Sequence, residues 1–233
     1  MQNSRIINWL SSNQKRFFAE LIGTFVVVVF ATGSVVLAVK YSETLGLWFV
    51  ALAPAVAVTM MVYAFGKISM AHFNPTVTVG FFITKHMPKN LFPVYFIAEI
   101  IGALLGSIFV KYVIGVEANL GANAPDYHFF IPLIVGVEIL ATALLMAVIM
   151  VVVHTKGLKG FGGITISGII IGAMVGLDIF FLAFISGASM NPARALAPAI
   201  ISGYLNDLWL YWTAPFIGSG IVAMIYRKFA KIV

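Results

Sequence analysis

The sequence predicts an all-α membrane protein: six transmembrane helices plus two re-entrant half-helices, arranged as an inverted 3+3 repeat. Three observations lead there. Of the 233 residues, 61% are hydrophobic and only 9% charged, where a soluble domain carries about 25% charged residues. The mean hydropathy is +1.05, so lipid is the solvent for most of the surface. An Asn-Pro tripeptide occurs twice, as Asn74-Pro75-Thr76 and Asn191-Pro192-Ala193, 117 residues apart. A glutamate precedes each box by nearly the same distance, Glu20 by 54 residues and Glu138 by 53. The chain therefore reads as two copies of one module.

The elements follow in order. Met1–Gln14 is polar, and Phe17–Val39 is too long for the core of a cleaved signal, so it is taken as the first span. Crossing needs about 20 apolar residues. Six segments qualify: Phe17–Val39, Leu47–Gly66, Asn90–Val110, Phe129–Val153, Phe161–Ile185 and Leu208–Tyr226. Their length argues for helices, because the strands of membrane barrels are about 10 residues long and alternate in polarity. Six spans put both ends of the chain on one side. Arg5, Lys15, Arg16, Lys67, Lys85, Lys89, Lys156, Lys159, Arg227, Lys228 and Lys231 fall on that side, against Lys40, Lys111 and Arg194 on the other. The excess marks the cytoplasmic face. The net charge of +6 is read this way and not as a nucleic-acid surface. The chain is one membrane domain: a cytoplasmic N-terminus (1–16), a first repeat (17–110), an extracellular linker (111–128), a second repeat (129–226) and a cytoplasmic tail (227–233).

Two apolar pieces are too short to cross, Ile68–Thr84 and Ser186–Gly203, and each holds an Asn-Pro box near its middle. Asparagine is a good helix N-cap, and proline is favoured in the first turn because its missing N–H costs no hydrogen bond there. Each box thus starts a short helix, reached through a loop that dips into the membrane. Irregular backbone at that depth is tolerated only inside protein or along a wet cavity. With three spans per module, the second copy is inverted. Two positive helix ends then meet at the midplane from opposite sides, an arrangement that disfavours cations and protons. The Asn74 and Asn191 amides are candidate donors to a neutral molecule. Ala71, His72 and Phe73, with Gly187, Ala188 and Ser189, are candidate acceptors through their carbonyls. The chain lacks cysteine, so thiol chemistry is absent. No nucleophile–base pair or phosphate-cradling loop points to an enzyme. No ligand spacing points to a metal or other cofactor, His72 included.

The segments AELIGTF (Ala19–Phe25), ISMAHFNPTVTVG (Ile68–Gly80), SGASMNPARALAPA (Ser186–Ala199) and LYWTAPFIG (Leu210–Gly218) resemble the aquaporin and glycerol-facilitator family, the major intrinsic proteins. The resemblance spans both repeats. It implies a homotetramer in the cell membrane, with a pore in every protomer. It also implies that Arg194 is the filter arginine, with Ile179, Ala188 and Pro54 at the other filter positions. Pro54 stands where an aromatic is usual. Either the alignment slips and Phe49 or Trp48 supplies the ring, or the filter lacks one. Ala195 stands where glycerol facilitators usually carry aspartate. Ala199 and Tyr211-Trp212 resemble water-type members, so branch and filter markers disagree. Thr76 replaces the usual alanine, either as a tolerated variant against the facing proline or as a change in pore width.

Glu20 and Glu138 are read as structural acceptors for backbone N–H groups of the two loops. Glu99 is expected to have an interhelical partner, and Asp178 to point away from the lumen. His86, His128 and His154 fall in predicted loops. Gly102, Gly106, Gly168, Gly172, Gly176 and Gly218 fit close helix packing. The function expected is a passive channel for water, with small neutral solutes such as glycerol or ammonia as further candidates, that excludes protons and ions. The alternatives are a channel mainly for another neutral solute and a coupled secondary transporter.

Overall fold

The structure is a computed structural model that describes residues 2–154 and 166–229. Lys156, Lys159, Lys231 and the first residues of the predicted fifth span lie outside the described residues. Eight helices carry the fold: α1 (Gln2–Lys40), α2 (Leu47–Ser69), α3 (Pro75–Ile83), α4 (Phe92–Phe109), α5 (Ile131–His154), α6 (Ser167–Ser186), α7 (Pro192–Ser202) and α8 (Ala214–Phe229). A single helical turn, Leu208–Tyr211, precedes α8. Among the described residues there is no strand.

Six segments are long and apolar enough to cross a membrane. They match the six expected spans with two differences. α1 begins well before Phe17, because the polar N-terminal stretch continues the same helix. The last span is broken at Trp212 and Thr213. Pro215, near the start of α8, has no N–H to extend a helix back through this point. The outer surface is apolar: Phe18, Leu52, Ile97, Phe181 and Met224 are each more than half exposed. That is a lipid-facing surface, whereas a soluble protein keeps its large apolar patches small.

The two halves are related part by part. α1 packs on α2 and α4, and α5 packs on α6 and α8. The second spans, α2 and α6, pack on each other across the two halves. Each half-helix then packs on the third span of the opposite half, α3 on α8 and α7 on α4. By alternation, α3 returns to the face that bears the chain ends, here the terminal face. α7 returns to the opposite face, here the linker face.

Two glycines set the spacing of the outer spans. A Cβ on Gly102 would lie 2.3 Å from the Leu21 carbonyl of α1, and one on Gly218 would lie 2.3 Å from the Ile139 carbonyl of α5. Backbone meets backbone at both crossings, and neither can yield. Gly102→Ala and Gly218→Ala are each expected to cost about 2 kcal/mol, the usual scale of overpacking. Gly136→Ala, at a site with open space around it, is not expected to destabilise. Thermal unfolding in detergent distinguishes the three.

Candidate functional site: a passage between two half-helices

The two boxes meet. The Asn74 side chain caps α3, its Oδ1 accepting from Thr76 N at 2.9 Å. The Asn191 Oδ1 caps α7, accepting from Ala193 N at 3.0 Å and Arg194 N at 3.2 Å. Each amide then donates across the pseudo-dyad. Asn74 Nδ2 reaches the Met190 carbonyl at 2.8 Å, and Asn191 Nδ2 reaches the Phe73 carbonyl at 2.9 Å. A side-chain amide has two N–H groups, so each asparagine keeps one for the space beside it.

The loops before the boxes repeat the same backbone. Met70, Ala71 and Phe73 have positive φ, and so do Gly187, Ala188 and Met190, each 117 residues later. Five of these six are not glycine, and left-handed backbone costs them about 1 kcal/mol each. Buried acceptors hold the strain in place. Glu20 Oε1 and Oε2 accept from His72 N (3.0 Å) and Phe73 N (2.7 Å). Glu138 Oε1 and Oε2 accept from Met190 N (2.7 Å) and Ser186 Oγ (2.9 Å). The serine at the root of each loop is treated alike: Tyr95 donates to the Ser69 carbonyl (2.9 Å) and Tyr211 to the Ser186 carbonyl (2.7 Å).

Between the boxes runs a cavity of about 300 Å³. It is lined by Asn74, Asn191, Arg194, Ile179, Ala188 and Pro54, and by Ala71, His72, Phe73, Gly187 and Ser189. Aliphatic side chains such as Val58, Val62, Leu145, Ile149, Ile171 and Val175 complete the wall. The lining is thus part polar and part apolar. Pro75, Thr76, Pro192 and Ala193 are buried outside this lining. Thr76 accordingly acts between the boxes and not on the width of the passage. Its Oγ1 lies 2.8 Å from Asn74 Oδ1 and 3.1 Å from the Met190 carbonyl. Two of the expected acceptor carbonyls are already engaged, Phe73 by Asn191 and Gly187 by Asn123.

Pro54 lines the cavity with Val50, one turn away, while Trp48 and Phe49 do not line it. Trp48 is half exposed on the outer surface. The ring missing from the Pro54 position is therefore not supplied by either neighbour. Arg194 is buried and donates to neutral oxygens, the Asn123 side-chain carbonyl and the Ala31 backbone carbonyl. Asn123 was missed in the sequence because it sits in a linker with no motif of its own. Its link to Arg194 spans 71 positions. At the linker face Tyr127 and Tyr204 both donate to the buried Asp207, at 2.6 and 2.8 Å. The bond to Asp207 pushes the Tyr127 hydroxyl up to about 12.

None of the buried acids lines the cavity. Asp178 is buried away from it. Glu99 Oε1 accepts from Thr78 Oγ1 of α3 at 2.6 Å, the expected interhelical partner. Thr78 Oγ1 also lies 2.9 Å from His72 Nδ1. Among the described residues no group of His, Cys, Asp or Glu is placed to hold a metal ion.

The family model for the major intrinsic proteins matches residues 9–226. The chain belongs to this family. Among the similar major intrinsic proteins, Aquaporin NIP3-1 of Arabidopsis thaliana is 35% identical over 94% of this chain and 71% of its own length. The probable aquaporin AqpM of Archaeoglobus fulgidus is 33% identical over 93% of this chain and 97% of its own. The X-ray structure of the aquaglyceroporin from Plasmodium falciparum superposes with a TM-score of 0.78 at 21% identity, covering 93% of this chain and 96% of that one. That likeness speaks for the fold.

Glu138→Ala strands the Met190 N–H and the Ser186 hydroxyl in the membrane interior. It is expected to cost about 3 kcal/mol. Glu138→Gln keeps one acceptor oxygen and is expected to cost less. Unfolding midpoints of the two purified variants check the order.

Proposed function

We propose that this major intrinsic protein is a passive channel for water and small neutral solutes that excludes protons and ions. The observation that carries the reading is the reciprocal pair of bonds between the boxes, Asn74 to Met190 and Asn191 to Phe73. They aim two helix N-termini, each roughly half a positive charge, at one point beside a polar-and-apolar cavity. A water whose oxygen accepts from both asparagines turns its hydrogens outward, and a proton wire through it is interrupted. Arg194 adds a full positive charge with no carboxylate among its hydrogen-bond partners. A cation meets this field where it is least solvated.

Arg194, Ile179, Ala188 and Pro54 are proposed as the selectivity filter. With proline, isoleucine and alanine there, and no ring beside them, the opening is more apolar than a strict water filter. This supports passage of a neutral solute such as glycerol alongside water. A coupled transporter needs an ion site in its pathway. Glu20, Glu99, Glu138 and Asp178 all lie off the cavity, which counts against that alternative. We further propose that the chain functions as a homotetramer in the cell membrane, as one domain of two inverted repeats, with both termini cytoplasmic. Lys15, Arg16, Lys67, Lys85, Lys89, Arg227 and Lys228 on the terminal face support that orientation.

Proteoliposomes containing the protein are expected to shrink faster than empty vesicles in stopped-flow light scattering. Equal rates, with tetramer verified, would refute the channel. Arg194→Ala is expected to raise glycerol and proton flux by about tenfold or more, consistent with the loss of a buried charge worth more than 1.4 kcal/mol. Unchanged selectivity in a pH-dye assay would remove Arg194 from the filter.

A further inference from the structure

We propose that Glu99, acting through Thr78, holds the His72 ring as its Nδ1–H tautomer. The passage thereby gains an acceptor nitrogen, Nε2, for solutes that bring an O–H or N–H. This rests on the channel reading above. The Thr78 hydroxyl carries a single proton, and Glu99 Oε1 takes it at 2.6 Å. The same hydroxyl oxygen lies 2.9 Å from His72 Nδ1. With its proton spent on the glutamate, it can only accept from the ring. Nδ1 therefore carries the hydrogen. A charged ring is costly at this depth, and in a neutral imidazole Nε2 is then the acceptor. Glu99 lies off the cavity, so it is a positioning residue that reaches a solute through Thr78 and His72.

The ring is held on every side but one. It stacks on Phe81 of α3 with centroids 4.4 Å apart, and tilts against Tyr95 of α4 at 4.9 Å. Its backbone N–H is tied to Glu20 Oε1 at 3.0 Å. Thr78 N donates to the Asn74 carbonyl at 3.0 Å, so the relay is anchored to the first turn of the half-helix. His72 is more than nine-tenths buried and lines the cavity. Its Nε2 has no partner among the described residues. A buried polar atom without a partner is rare, and a passing solute supplies one here. The ring needs no reordering when that solute arrives, which is the preorganisation a selective site requires.

Among the described residues His72 and Arg194 are the titratable side chains of the lining. They stand on opposite sides of the boxes, His72 in the loop from the terminal face and Arg194 on the half-helix that returns to the linker face. The guanidinium can only donate. The imidazole, so held, can only accept. Around it the wall is Val62, Phe81, Ile149 and Val153, whose side chains offer no strong hydrogen bond. Water both donates and accepts, so it adjusts to either tautomer. Urea carries more donors than acceptors, and loses most if Nε2 becomes an N–H.

The test uses the full chain in proteoliposomes. ¹⁵N NMR of labelled histidine reads the tautomer, with the His72 signals assigned by their loss in His72→Gln. Wild type is expected to show a neutral ring protonated at Nδ1. Glu99→Leu frees the Thr78 proton for Nδ1 and is expected to move the ring hydrogen to Nε2. Thr78→Val removes the relay, and both tautomers are expected to populate. Thr78→Ser restores the hydroxyl and with it the wild-type spectrum. A wild-type ring protonated at Nε2 overturns the proposal, as does an unchanged tautomer in Glu99→Leu or Thr78→Val. Light scattering on the same vesicles gives the ratio of urea to water flux. Loss of one hydrogen bond is expected to lower it about fivefold in Glu99→Leu, with a smaller fall in Thr78→Val and recovery in Thr78→Ser. A shifted tautomer with an unchanged ratio overturns the acceptor role. Wild-type water flux tests the channel reading by itself, and the spectra are read without transport, so the two failures are distinct.

Discussion

The structure depends on satisfying irregular backbone at membrane depth. Two loops leave the helical state inside an apolar bundle, where water cannot serve their N–H and C=O groups. Glu20 and Glu138 take up the donors of the loops, and Tyr95 and Tyr211 serve the serine carbonyls at their roots. The two asparagines then exchange bonds with the opposite loop. Each loop is complete only with the other half present. This mutual dependence keeps two short helices pointed at each other when nothing else in the sequence forces them together.

The same constraint shapes the passage. Carboxylates spent on backbone N–H groups are not available to a permeating ion, and the buried acids Glu20, Glu99, Glu138, Asp178 and Asp207 all stand off the cavity. What remains at its wall is aliphatic and aromatic side chains together with amide, carbonyl, imidazole and guanidinium groups. Arg194 is held by neutral oxygens. A buried charge is costly in such a place, and its persistence without a carboxylate partner fits a role in repelling cations.

Much of this was legible in the chain. The helix count came from lengths of apolar run. The inversion came from an odd number of spans per module, and the half-helices from asparagine before proline. Glu20 and Glu138 were read as acceptors for the loops from their equivalent places in the two modules and from the family resemblance, and they bond the loops in the structure. Other features were not legible. The break before α8 depends on Pro215 and a tight turn within an apolar run that reads as continuous. Thr76 was open between packing and pore width; its hydroxyl turns to Asn74 and Met190. The Pro54 position was open between three residues, and only the rotation of α2 decides which of them faces inward.

The sequence by itself determined what is periodic or local: where the chain crosses, where it re-enters, which caps start the half-helices, and that the second half inverts the first. These follow from hydrophobic length and from hydrogen bonds within a few residues. The tertiary structure alone decided which distant groups meet: Asn123 with Arg194, Thr78 with Glu99, the asparagine of one half with the loop of the other. Such pairs carry no spacing signal, because they are set by the rotation and depth of packed helices, which the short-range chemistry of the chain does not specify.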